Sequence, residues 1–363
     1  MLVDFPGHVT ELVLDRVFPT RVRSALWIVS PGFDLFLLVF VPLLTVPILA
    51  AYYFGNPLIA VGGVITLSFA HYLSSFTFYL WDENKAYHRE RWLAFFVGPI
   101  VLAVLYAMMV RWANANIIPF LLFFWNAVHV AKQNCGILSV YRVRAGVTDM
   151  SHRNASNRAI IAMSLFLAMW NMDTHREVSA IFGAIRSDFG RFLWFGSGVI
   201  AAVTIGMLVW DLRKRMAKGE APKAPEVLFL LASLAFFYPF IFIRSSEMAT
   251  VAMLLPHYIQ YMAIVWLVHR RKFGEGQGGV GTVMRKISRS TVLLIPTLAV
   301  AGFSFYLFFH GMTHAGLQAQ AVTIFILVAF EHFYLDTLNW SFRRAHIRRT
   351  IGPALTGPAV YAA

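Results

Sequence analysis

The chain has 363 residues, of which 58% are hydrophobic and only 13% charged, with mean hydropathy +0.63. A soluble domain of this length carries roughly a quarter charged residues, so 13% is too few to cover the molecule with polar surface, and the apolar excess must face lipid. The net charge of +13 would suggest nucleic acid in a soluble protein; here Lys and Arg lie in short stretches between apolar segments, where topology and anionic headgroups account for them and no nucleic-acid partner is required.

Residues 1–32 lack a basic segment followed by an apolar one, so they read as an amphipathic arm on the membrane surface and not as a cleaved signal peptide. A hydrocarbon layer of about 30 Å needs about 20 apolar residues per helical span. Ten such stretches follow, at 33–54, 57–81, 92–112, 117–141, 157–172, 191–210, 226–243, 248–268, 291–309 and 317–341. The fifth is the shortest and ends in Asn171. A Gly-rich linker (274–279, GEGQGG) separates the eighth from the ninth. The bundle over 33–341 ends in a basic tail over 342–363. The lone cysteine, Cys135, lies in an apolar run, which excludes disulfides. The expected fold class is therefore all-α: a polytopic membrane bundle of about ten transmembrane helices, both termini cytoplasmic, in the inner membrane.

Charge supports that count. With a cytoplasmic N-terminus, 25 of the 31 Lys and Arg fall in or at the edge of inside segments, five in or at the edge of outside segments, and Lys132 alone lies deep within a span. The excess recurs at every second loop, as the positive-inside rule requires.

Four histidines fall within expected spans: His71, His129, His257 and His332, in the second, fourth, eighth and tenth. All four spans run from outside to inside. From each histidine to its cytoplasmic boundary (Asp82, Arg142, Arg270 and Arg343) is 11 to 13 residues. At 1.5 Å per residue that is roughly 16–20 Å, which places the four at one level near the bilayer midplane. Polar neighbours accompany each: Ser74 and Ser75; Asn126, Lys132 and Gln133; Gln260 and Tyr261; Glu331 and Asp336. At spacings of three and four they lie one turn from the imidazole, where such groups orient metal-bound histidines. Ionisable groups at this depth mark function, and imidazole suits iron, copper or zinc. A single membrane histidine is more often an interhelical hydrogen-bond partner; four at one depth favour metal ligation. Lys132, one turn from His129, is awkward for a metal unless it pairs with Glu331 or Asp336 or snorkels away.

Other clusters carry weaker signals. His310 and His314 form an i,i+4 pair at an outer helix end, with Asp173 and His175 in another outer segment, most simply solvated loop histidines. The stretch 81–92 (WDENKAYHRERW) reads as an interfacial loop with aromatic anchors, and Asp82, Glu83 and His88 offer a cytoplasmic docking surface for an electron donor. Walker, HExxH and CxxC motifs are absent, as is the HxxHH of membrane desaturases.

The histidine motifs resemble those of Brp/Blh-type membrane carotenoid oxygenases, in which isolated histidines in several helices are followed one turn later by Asp. The stretch 331–336 (EHFYLD), followed by the basic 341–349 (SFRRAHIRR), is similar to the ending of that family; 70–76 (AHYLSSF), 128–134 (VHVAKQN) and 256–262 (PHYIQYM) are similar in kind to its earlier motifs. Only the last retains the Asp, with Ser75, Gln133 and Tyr261 at the equivalent positions. The resemblance implies an iron-dependent (Fe2+) oxygenase acting with O2 on a lipid-soluble substrate. In that reading His71, His129, His257 and His332 bind the metal, Asp336 or Glu331 is a further ligand or acceptor, and Ser75, Gln133, Gln260 and Tyr261 support the histidines. Two other classes use the same residues: a transporter with a proton or ion site, for which Pro256 before His257 would break the eighth helix, and a haem protein with axial histidines.

Overall fold

The structure, a computed structural model, describes residues 26–55, 57–112, 117–147, 150–175, 187–273, 287 and 293–357. Most of the interfacial arm, the linker 274–279 and the last six residues of the tail lie outside the described residues. Among the described residues the regular structure is helical throughout, with no strand.

Each of the ten apolar stretches is helical, though two are interrupted. The stretch 33–54 begins with a turn capped by Ser30, whose hydroxyl accepts from the Phe33 amide (3.2 Å). It continues through a π turn at Leu35–Val39 and a 3-10 turn at Val41–Leu44, and becomes α-helical only in α1 (Thr45–Phe54). Pro42, which has no amide hydrogen, lies at the break. Then follow α2 (Pro57–Phe76), the short amphipathic α3 (Asp82–Glu90), α4 (Leu93–Trp112), α5 (Ile117–Arg144), α6 (Met150–Thr174) and α7 (Ser187–Ala217). The seventh stretch divides into α8 (Ala224–Ala235) and a short turn at Pro239–Phe242. The chain closes with α9 (Ser246–Phe273), α10 (Leu294–His314), α11 (Gln318–Asn339), α12 (Ala345–Thr350) and α13 (Gly352–Thr356). The shortest expected span, 157–172, is extended in α6 to 25 residues by polar turns at both ends.

Among the described residues six helices are long and apolar enough to cross a membrane: Leu93–Trp112, Asp188–Ala217, Ala224–Phe242, Ser246–Phe273, Leu294–His314 and Gln318–Asn339. The chain is a multi-pass membrane protein. Burial sorts these helices into centre and rim. The apolar window of α9 is 78% buried, that of α4 only 11% and that of α7 17%, so α9 is the core and the others turn their side chains outward.

Around α9 the helices that carry the histidines close a ring: α9 packs on α2, α2 on α11, α11 on α5, and α5 on α9. Gly302 lets α10 lie directly on α2, since a Cβ there would collide with the Thr66 and Ala70 backbone. Pro256 lies inside α9 without breaking it. The expected break does not occur, because the Ala252 carbonyl left free by the proline accepts a hydrogen bond from Thr45 Oγ1 of α1 (2.8 Å).

The basic tail is not free. Ile347, Ile351 and Leu355 are buried, and cations from the helix ends hold its carbonyls. Arg144 donates to Leu355 O (3.2 Å), Arg271 to Ala354 O (2.8 Å) and Lys272 to Thr350 O (2.8 Å).

Candidate metal centre

His71, His129 and His332 each offer a ring nitrogen such that the three atoms lie within 4.8 Å of one another, at the axis of the ring of helices. His257 closes the fourth side, its ring centroid 4.8 Å from that of His71 and 5.1 Å from that of His129. His71, His257 and His332 are fully buried and His129 nearly so. Metal–imidazole bonds near 2.1 Å separate two ligand atoms of one ion by at most about 4.2 Å, a little less than the 4.8 Å within which these three atoms lie, so the rings would have to close slightly to share one ion.

Asp336, one turn beyond His332, reaches the same point. Its Oδ2 lies 3.6 Å from His332 Nε2 and 3.8 Å from His129 Nε2. Its Oδ1 accepts hydrogen bonds from Ser75 Oγ and Tyr261 OH, both at 2.7 Å. Ser75 Oγ is also 3.0 Å from His332 Nδ1. With its own hydrogen directed to Asp336, Ser75 accepts there, so Nδ1 carries the imidazole hydrogen and Nε2 presents a bare lone pair. Trp340 Nε1 donates to the Tyr261 hydroxyl (2.8 Å) and fixes it from the far side.

Six nitrogens of these rings are buried with no hydrogen-bond partner: both of His71, both of His257, and Nε2 of His129 and His332. An unpaired buried polar group costs about 1–3 kcal/mol, so six cost on the order of 10 kcal/mol, comparable to the whole stability of a domain. Interhelical hydrogen bonding, the commoner role of a membrane histidine, is seen at His332 Nδ1 among the described residues. A donor set of imidazoles and one carboxylate, facing inward and otherwise unsatisfied, fits a divalent transition-metal ion.

The supporting residues distribute differently from the sequence expectation. Ser75 and Tyr261 each lie one turn from a histidine on their own helix, yet both bond to Asp336, and Ser75 to His332, on α11. Gln133 and Gln260 bond to one another (2.8 Å), and Gln260 also donates to the Leu38 carbonyl (2.9 Å) in the π turn, so these hydrogen bonds bypass the imidazoles and bridge helices. Glu331 does not join the centre: adjacent positions on a helix diverge by about 100°, and it lies near Tyr79 and Tyr334. Lys132 pairs with neither Glu331 nor Asp336. His310 and His314 touch through their Nε2 atoms (3.0 Å) on the surface, and no third ligand joins them, His175 or Asp173 among the described residues. Asp82–Glu90 forms α3, tied to the tail through Asn84 and His346 (2.7 Å) and to α9 through a Glu83–Lys272 ion pair.

Trp340 carries no metal-site signature on its own; its spacing of four from Asp336 is its one sequence signal. A cavity of about 460 Å³ opens on the centre at His129, Asp336 and Tyr261, and extends along α5 to Phe342, Arg343 and Leu355.

Comparisons of the chain with protein-family models, with curated proteins and with solved structures return no match.

Proposed function

We propose that this chain is a membrane-embedded, non-haem iron oxygenase acting on a lipid-soluble substrate. In this reading it spans the inner membrane ten times with both termini cytoplasmic. The observation that carries the proposal is the convergence of four imidazoles from four helices, with six unbonded ring nitrogens beside one carboxylate, at the core of a lipid-facing bundle. His71, His129 and His332 hold the ion, with His257 completing the wall. Asp336 offsets its charge and stands as the carboxylate ligand or acceptor. Ser75 sets the His332 tautomer, and Tyr261 with Trp340 holds Asp336 in place. Iron held there would supply O2 activation.

The rest of the work belongs to the chain. The helix ring excludes water from the centre, and the cavity along α5 admits substrate to the His129–Asp336 side. Iron suits an imidazole and carboxylate donor set, and it is the metal implied by the resemblance to Brp/Blh-type oxygenases. A porphyrin finds no free plane here, with the His257 and His332 centroids both 5.1 Å from that of His129. The unbroken α9 removes the feature that pointed to a transporter.

Metal analysis of the purified protein together with its visible spectrum tests the proposal. It expects near-stoichiometric iron without a Soret band, and loss of that iron in His332→Ala. A Soret band, the absence of any metal, or iron that survives His332→Ala would each overturn it.

A further inference from the structure

Lys132 lies one turn from His129 on the same face of α5, exposed to the cavity that opens on the centre. Among the described residues it forms no ion pair or hydrogen bond. Ten residues separate it from Arg142, about 15 Å along the helix, farther than a lysine side chain reaches. In the ten-span topology proposed above its ammonium therefore stays at membrane depth, where an uncompensated charge is disfavoured and such residues pair with a partner or a ligand. The one carboxylate lining the cavity, Asp336, is engaged by Ser75 and Tyr261. Beyond Lys132 the α5 wall turns apolar at Ile137 and Val140, faced by Ile264 and Leu355.

We infer that the cavity binds a single-chain amphiphile with a carboxylate head, a long-chain fatty acid. The carboxylate pairs with Lys132, and the hydrocarbon lies along Ile137, Val140, Ile264 and Leu355. A volume of about 460 Å³ takes one hydrocarbon chain and not the two of a phospholipid. Because Lys132 is one turn from His129, the carbons next to the carboxylate, and not the far end of the tail, lie beside the centre. That last placement rests on the proposed metal site; the binding itself does not.

Equilibrium binding of radiolabelled oleate to the detergent-solubilised full-length chain tests this. Oleate is expected to bind saturably, and oleyl alcohol, of the same chain but uncharged, to compete about tenfold or more less well, as loss of one charge-assisted contact implies. Phosphatidylglycerol should not displace oleate. Lys132→Gln should weaken oleate about tenfold while leaving oleyl alcohol unchanged, and Lys132→Arg should retain oleate. Equal competition by oleyl alcohol, displacement by phosphatidylglycerol, or weakening by Arg343→Gln in place of Lys132→Gln would overturn the inference. If Lys132→Gln fails to fold, the oleate and oleyl alcohol comparison on the unaltered chain still decides. Iron content read on the same samples separates the two readings. Oleate binding without iron would sink the oxygenase and leave this inference standing; iron with Lys132-independent binding would do the reverse.

Discussion

Ser75 occupies a position where the motif pattern places an aspartate, and its hydroxyl holds two groups on another helix. Ser75→Ala removes the acceptor of the His332 imidazole hydrogen and one of two donors to Asp336 Oδ1. Loss of such an orienting partner costs about 10–100-fold in metal affinity or activity. Titration of apo protein with ferrous iron should show a drop of that size for Ser75→Ala and Tyr261→Phe, with retained helicity. An unchanged affinity would mean that Asp336 and His332 need no positioning. The type of residue at position 75 is legible in the sequence as a polar group near a membrane histidine. Its partner is not, because period-four spacing pairs it with His71, whereas helix rotation in the bundle turns it to His332.

At the scale of elements, α9 shows how a helix tolerates a proline beside a histidine of the candidate centre. Thr45→Val should leave the Ala252 carbonyl unpaired in an apolar interior, at a cost of about 1 kcal/mol. Thermal unfolding in detergent would register it, and an unshifted midpoint would show that the carbonyl finds another donor. Gly302→Leu is expected to be far more damaging, since its side chain meets backbone and not a movable side chain on α2. Helices were readable from hydropathy and length. Their interruptions at Phe40 and Phe236 were not, because both lie within apolar runs that a window average treats as continuous.

For the whole molecule, charge has two roles that sequence position does not separate. Arg142 and Arg215 count as positive-inside residues, yet both are buried and bonded to Glu226. Arg142 Nε donates to its Oε1 at 2.8 Å, and Arg215 donates to both oxygens at 2.5 and 3.0 Å. This network joins α5, α7 and α8. Glu226→Ala strands two buried guanidinium groups and should cost about 3–5 kcal/mol, measured by the same unfolding assay; a loss below 1 kcal/mol would mean that water reaches the site. The end of the bundle formed by α3 and the tail also confers a pH dependence. Burial pushes the His88 imidazole down to about 4 from 6.5, with the His346 imidazole adding to it. The unfolded chain therefore binds the extra proton, so this stability is complete above about pH 6.5 and is lost as pH falls toward 4. Unfolding midpoints taken from pH 7 to 4.5 should fall, and His88→Phe should flatten that slope.

Composition, the rhythm of apolar stretches and the distribution of Lys and Arg determined by themselves that the chain is helical, crosses a membrane repeatedly and carries four histidines at one depth. These are properties of single segments, set by the thickness of the hydrocarbon layer and the cost of burying charge. Which histidine faces which, that Asp336 reaches the centre and Glu331 does not, and that the basic tail packs against the bundle were decided only by the tertiary structure. The rotation of each helix about its own axis follows from close packing against neighbours far away in the chain, and no local spacing encodes it.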